Sequence, residues 1–429
     1  MSYVKQEEGA EGRDCPQRTK MDEELLQAPT LREVLWMLAP VYGTCLLCRM
    51  MRALVYVCVP LHVLDLGGSP TEVGLLASLY GLGFMIANIP GAFLLPCLGA
   101  KYTLLLACAL FLGSASISLM EDIEMLILSQ FLLGLANSLA VLAQLTYISG
   151  TVPPERLGFA ISIVGTLTYL ALAAGPPLGS LLREAFGIRA VFFAQLACGS
   201  LAALGSVCLG NEVEWAPSTK SGVLQAKDAL KEKSGRLVRV LLFACAMQFV
   251  WKGRELFFPL AGREAGISDV LLGQIVGWSF LVDMLISPLA GWLMDSYGRV
   301  RAGAVSLTLQ SVGIMVLPFH SAESIITSST LTGLGNGLGA GLLMAFGADL
   351  APSGAGRGAF MAVYRLLFNS MDVITPLFLS ILTTSASLHA SELTTGAIGL
   401  LGVMWVLRCV PETLQKHVKV AKRKQVEPV

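Results

Sequence analysis

Residues 291–301 read Gly291-Trp292-Leu293-Met294-Asp295-Ser296-Tyr297-Gly298-Arg299-Val300-Arg301. An apolar stretch, about 268–294, runs into this segment, and another, about 302–320, leaves it. Gly298 permits a tight turn because it has no Cβ. Asp295, Arg299 and Arg301 put opposite charges at two adjacent helix ends. A carboxylate there can also accept from the N-terminus of a neighbouring helix. The segment reads as a short charged joint whose contacts hold one conformation of a helix bundle and break in another.

The rest of the chain has the same character. Of 429 residues, 54% are apolar and 14% charged, against the roughly 25% charged of a soluble protein. Mean hydropathy is +0.68. These values argue against a soluble enzyme, a disordered chain and a disulfide scaffold. Twelve apolar stretches can be marked, at about 34–62, 71–96, 102–120, 123–149, 158–181 and 189–209, then 238–261, 268–294, 302–320, 323–348, 358–384 and 393–410. Each is near the roughly 20 residues that span a bilayer. The fold class expected is all-α, a polytopic membrane protein with twelve transmembrane helices. The lipid bilayer is one partner, and with a net charge of +0 no nucleic acid is expected as another.

The two six-helix halves repeat each other. With a shift of 199, Pro60 meets Pro259, Gly74 meets Gly273, Gly99 meets Gly298, Gly134 meets Gly333 and Asn137 meets Asn336. With a shift of 200, Gly158 meets Gly358 and Pro176 meets Pro376. A register kept over so long a stretch indicates two pseudo-symmetric bundles. The expected layout is a tail at 1–30, a bundle at 31–210, a polar linker at 211–237, a bundle at 238–410 and a basic tail at 411–429. The first segment mixes acids and bases, unlike a cleavable signal peptide. With both termini cytoplasmic, most of the 30 Lys and Arg residues fall on the inner side, and only Arg183, Arg189 and Arg263 lie in outer loops. The plasma membrane is the default expectation. The C-terminal cluster Lys416, Lys419, Lys422, Arg423 and Lys424 could touch anionic headgroups or remain a solvated tail.

The pattern G-x-x-x-D-x-x-G-R at Gly291, Asp295, Gly298 and Arg299 resembles the signature loop of the major facilitator superfamily. Gly175-Pro176-Pro177-Leu178-Gly179 resembles the glycine-proline motif on the fifth helix of its antiporters. Pro153–Gly158, Gly335-Asn336-Gly337, Gly347–Pro352 and Arg357-Gly358 resemble a subgroup grouped with drug–proton antiporters, and Tyr364-Arg365 stands where that subgroup has tryptophan and arginine. The resemblance covers about 31–410. It implies alternating access, with the first, fourth, seventh and tenth helices lining a central cavity. The first half departs from the pattern: Ala92, Pro96 and Ala100 occupy the places of Gly291, Asp295 and Arg299. Gln130 stands near where proton-coupled members often carry an arginine. Both departures weaken the implication of proton-coupled antiport.

Charges inside spans are costly and mark either function or pairing. Arg49 and Arg52 fall in the first span, Lys252, Arg254 and Glu255 in the seventh, Asp283 in the eighth, and Arg365 and Asp372 in the eleventh. Arg52 shifted by 200 falls on Lys252, so the halves place cations at related depths. Five cations against three acids favour an organic anion as solute. The competing expectation is that Arg49 or Arg52 pairs with Asp283 or Asp372 as a structural ion pair. Arg365, Asn369 and Asp372 share a helix face. Asp283 and Asp372 are the candidates to couple a proton, and a permanent salt bridge is the alternative. Gln130, Asn137 and Gln144 form a polar line suited to a cavity wall or an interhelix seam, with Asn336 the repeat partner of Asn137. The candidate substrate-binding set is therefore Arg49, Arg52, Asn137, Gln144, Lys252, Arg254, Asn336 and Arg365.

No hydrolytic or phosphate-binding constellation stands out, and no cofactor is expected. His62, His320, His389 and His417 show no metal-ligand spacing, and Cys45 and Cys48 form a CxxC inside an apolar helix without ligand-type neighbours. The sequence thus reads as a transporter of a small organic solute, an anion favoured and a proton the candidate coupling ion. Its alternatives are a drug–proton antiporter exporting lipophilic cations and a transporter-derived receptor or scaffold.

Overall fold

In a computed structural model the structure describes residues 31–210, 220–354 and 356–413. The expected tail at 1–30, the start of the linker, and most of the basic tail with its lysine cluster and His417 lie outside the described residues. No strand occurs among the described residues.

The first half contains α1 (Leu31–Asp65), α2 (Pro70–Ser118), α3 (Ile123–Thr151), α4 (Pro154–Phe186) and α5 (Ile188–Val207). A shorter helix, α6 (Lys220–Glu232), follows within the polar linker. The second half contains α7 (Ser234–Glu264), α8 (Asp269–Tyr297), α9 (Arg299–Val316), α10 (Ala322–Leu338), α11 (Leu342–Leu350), α12 (Gly356–Asn369), α13 (Met371–Ser385) and α14 (Leu388–Cys409). Eleven helical stretches are long and apolar enough to cross a membrane, with α10–α11 and α12–α13 counted as one each. The second of them, α2, has 49 residues, about 74 Å at 1.5 Å per residue. That is more than twice a bilayer's hydrocarbon thickness. It breaks at Gly99, where φ is 77° and ψ 169°, so it supplies two crossings. The total is twelve, six per half, as the sequence leads one to expect.

Gly99 and its repeat partner Gly298, at φ 92° and ψ 164°, make the same joint in both halves. Only a residue without Cβ takes this backbone readily. Serines fix other helix starts. Ser69 donates its backbone N–H to Glu72 Oε2 at 2.6 Å, and Ser268 Oγ accepts from Leu271 N at 3.3 Å.

The repeat register reappears as packing between the halves. Gly74 on α2 lies against Ser380 on α13, where a Cβ on Gly74 would fall 2.1 Å from the Ser380 Cβ. Its repeat partner Gly273 on α8 lies against Ser180 on α4, where a Cβ would fall 2.2 Å from the Ser180 Oγ. Small residues let backbones approach in a bilayer, where packing rather than water drives helix association. Two symmetric seams result, α2 on α13 and α4 on α8.

Polar links lie at the same end of both seams. Thr71 and Thr384 hydroxyls meet at 2.8 Å. Arg183 donates to Asp65 within its own half and to Asp269 of the other half at 2.5 Å. Arg263 donates back across to Asp65 at 2.5 Å. At the opposite face, which carries the Gly298 turn, no hydrogen bond or ion pair joins the halves among the described residues. There Gly158 and Gly165 on α4 and Gly358 on α12 have no neighbour within 4 Å of a built Cβ. The halves are thus closed at the Asp65 face and apart at the Gly298 face.

Candidate functional site

α1 and α7 stand in repeat-related places and meet near the centre. Arg52 on α1 donates Nη1 to the Tyr80 hydroxyl at 2.8 Å and Nη2 to Glu255 Oε1 on α7 at 3.0 Å. Its guanidinium carbon lies 4.0 Å from the Tyr80 ring centroid, within cation–π distance. Lys252, one turn before Glu255, donates to the same Oε1 at 3.2 Å and lies 3.6 Å from Asp372 Oδ1 on α13. The two cations related by the 200-residue shift therefore converge on one carboxylate oxygen.

This layer separates two spaces. Towards the Asp65 face lies a small pocket of about 50 Å³ bordered by Pro60, Leu76 and Gln130. On its other side lies a cavity of about 320 Å³, bordered by Arg49, Arg52, Asn137, Lys252, Arg365 and Asp372, with Trp251, Gln248 and Asn369. Arg49 donates to Asn137 Oδ1, and Asn137 Nδ2 donates to the Tyr80 hydroxyl at 2.8 Å. Its buried Nε has no partner among the described residues. Arg365 borders the cavity and makes no ion pair or hydrogen bond among the described residues. Four cations and one carboxylate, Asp372, thus border the space, while Glu255 lines the small pocket on the other side of the layer, and neither Arg49 nor Arg365 has an acid within ion-pair distance among the described residues.

The other candidates fall elsewhere. Arg254 is buried in the second half, donating to Ser279 Oγ at 3.0 Å with its guanidinium 4.7 Å from the Phe280 centroid. Asp283, fully buried, accepts from Asn336. Arg254, Asp283 and Asn336 make a separate polar group on α7, α8 and α10, and Tyr169 of α4, in the other half, lies beside Asp283. Gln144 is fully buried without a hydrogen-bond partner among the described residues and does not border the cavity. The anticipated pairing of Arg49 or Arg52 with Asp283 or Asp372 does not form. Glu255 takes Arg52 because it sits on the helix facing α1, one turn from Lys252. The stripe of Arg365, Asn369 and Asp372 keeps its common face across the helix break at Ser370, and all three border the cavity.

Glu255 and Tyr80 were missed as site candidates. Glu255 carried a signal, its i+3 spacing from Lys252; Tyr80 carried none.

At the Gly298 turn, Arg299 Nη1 donates to Asp295 Oδ1 at 2.8 Å, and its Nε lies 3.6 Å from Asp349 Oδ2. The carboxylate at the start of α9 is Glu412, beyond α14, rather than Asp295. It accepts from the backbone N–H groups of Arg299 at 2.9 Å and Val300 at 3.2 Å. Gly291 borders open space. All these contacts stay within the second half.

Comparison with known proteins agrees with this architecture. The family model described as Major Facilitator Superfamily matches residues 41–261 and 240–428. The chain belongs to the major facilitator superfamily. A curated relative, the multi-drug resistance efflux pump PmrA homolog of Lactococcus lactis subsp. lactis (strain IL1403), is 25% identical over 267 residues. That alignment covers 60% of this chain and 65% of the relative's length. Among solved structures, a POT family transporter in complex with a thioalcohol-conjugated peptide has a TM-score of 0.72 at 16% identity, covering 88% of this chain and 96% of its own. A D-xylose–proton symporter has 0.72 at 15%, covering 88% and 98%. The nucleoside transporter NupG has 0.74 at 10%, covering 87% and 100%. At such identities these likenesses establish the fold alone. Family membership makes the protein an integral multi-pass membrane protein of a transporter superfamily.

Proposed function

We propose that this superfamily member carries a small organic anion through the central cavity by alternating access. The observation that carries the reading is the charge around a space of about 320 Å³. Four cations face one carboxylate, Asp372, there, and Arg49 and Arg365 lack an acid partner among the described residues. That size is within the roughly 300–1,000 Å³ of small-molecule sites. Fixed cations in a site shielded from bulk water attract a carboxylate more strongly than they would in solution. In this reading Arg49 and Arg365 hold the anion, and Arg365 makes a bidentate contact.

The Gly298 face is taken as cytoplasmic, so the conformation described is open inward, in the plasma membrane by default. Closing it requires the Asp65 face to part, which breaks the Arg183–Asp269 and Arg263–Asp65 pairs. The Arg52–Glu255 pair spans the halves and must stretch or exchange partners as they rock. Proton coupling runs through Asp372, whose protonation releases Lys252 towards the anion. Asp283 and Asn336, set off the cavity walls, hold the second half together in this account.

Ligand-induced stabilisation of the purified protein tests the binding step. Pooled mono- and dicarboxylates should raise Tm, lipophilic cations should not, and Arg365→Gln should abolish the shift. Stabilisation by the cation pool alone would discard the anion reading. The efflux-pump relative, together with Glu255 and Asp372 beside Trp251, favours a second reading, export of lipophilic cations against protons. There Glu255→Gln would remove cation binding.

A further inference from the structure

Sequence spacing gave no metal site among the histidines, but the fold gathers two of them at the Asp65 face. α7 ends at Glu264, a 3₁₀ turn (Leu317–Phe319) ends at His320, and α14 begins beside His389. His320 Nδ1 lies 2.7 Å from Glu264 Oε2, and its ring centroid lies 4.2 Å from that of His389. One ligand atom from each of Glu264, His320 and His389 can be chosen so that all lie within 4.8 Å of one another. On its other edge, His320 Nε2 lies 3.1 Å from Oε2 and 3.2 Å from Oε1 of Glu392, a carboxylate with 0% exposure.

The chemistry of that arrangement is specific. If Nε2–H donates to Glu392, the Nδ1 lone pair and the Glu264 oxygen confront each other at 2.7 Å as two acceptors. A proton or a metal ion must lie between them. We propose that Glu264, His320 and His389 bind a divalent transition metal such as Zn²⁺, with Glu392 orienting the His320 ring. A carboxylate on the far nitrogen of a ligating histidine is a recurrent second layer in zinc sites, fixing tautomer and ring direction. Three protein ligands of nitrogen and oxygen type suit zinc, with water completing a tetrahedron. Tetrahedral zinc sets its ligand atoms about 3.4 Å apart. Glu264 and His389 are exposed, so their side chains can adjust to that distance, Glu264 moving outward from 2.7 Å, without disturbing the core. The left-handed backbone of His320, at φ 38° and ψ 48°, is costly for a residue with a Cβ, and it carries the ring between the two acids. The metal would tie the end of α7 to the start of α14 and brace the second half.

Zinc titration of the full-length protein in detergent, followed by calorimetry and by Tm against a magnesium control, tests the proposal. The expectation is one tight equivalent and a Zn²⁺-specific rise in Tm. Both should survive in His62→Ala and fall at least tenfold in affinity in His389→Ala and in Glu264→Gln. Because those two side chains are exposed, loss of fold does not confuse the result. Glu392→Gln should weaken binding by about 10–100-fold. No tight equivalent in the parent protein, or equal affinity in His389→Ala and Glu264→Gln, overturns the proposal and leaves the proton as the ion between His320 and Glu264.

Discussion

Arg52 of the first half and Glu255 of the second are joined at 3.0 Å, and Lys252, the repeat counterpart of Arg52, donates to the same Glu255 oxygen at 3.2 Å. One acid thus serves two symmetry-related cations at the centre of the molecule. Breaking a buried pair by removing one partner costs about 3–5 kcal/mol. Arg52 retains Tyr80 and some cavity exposure, so the effect here should fall at or below the lower end. Glu255→Gln should lower Tm more than Arg52→Gln, because it removes the acid that two cations share, leaving Arg52 with no acid and Lys252 with Asp372 alone. The double variant should lose less than the sum of the singles. Strict additivity in this double-mutant cycle would show that the pair is not coupled.

The Asp65 face should control which side is open. Asp65→Asn weakens both Arg183 and Arg263, so the state closed at this face should lose population. The reporter is a cysteine pair at Thr71 and Thr384, whose hydroxyls are 2.8 Å apart. Its crosslinking yield should drop several-fold in the Asp65→Asn background. An unchanged yield would assign the closure to helix packing alone.

Packing itself can be probed at two repeat-related kinds of glycine. Gly273 abuts Ser180 of the other half, whereas Gly134 abuts the Tyr80 carbonyl of its own half, with a built Cβ at 2.1 Å. Gly134→Val should destabilise the first bundle, and overpacking typically costs about 1–3 kcal/mol. Gly273→Val should leave Tm nearly unchanged but shift accessibility towards opening at the Asp65 face. Equal Tm losses in both variants would mean that the halves do not separate there.

Much of this was legible beforehand, for identifiable reasons. Gly74, Gly99, Gly134 and their partners mark places where a backbone turns or another helix touches, so the repeat register predicted seams as well as helices. Arg49, Arg52, Lys252, Arg365 and Asp372 were legible because an ionisable side chain in a span needs a cavity or a partner. Partner choice was not legible. Whether Arg52 meets Asp283, Asp372 or Glu255 depends on how helices distant in sequence are rotated, and one face of a helix looks like another until its neighbour is placed. Glu412 was hidden for the same reason, since more than 110 residues separate it from the Gly298 turn that it caps.

Glu412 supplies a separate test of that turn. Removing a cap acceptor costs about 1 kcal/mol. Glu412→Ala should lower Tm accordingly, while Asp295→Ala, whose carboxylate is 75% exposed, should cost less than half as much. The reverse order, read from thermal melts at equal protein concentration, would assign the cap to Asp295.

The most direct test of the cationic cavity is internal pH in proteoliposomes holding a pH-sensitive dye, with an organic-anion pool or a lipophilic-cation pool added under an imposed proton gradient. The account predicts proton flux with anions, absent in Arg365→Gln and in Asp372→Asn. Flux with cations alone, lost in Glu255→Gln and intact in Arg365→Gln, would contradict it.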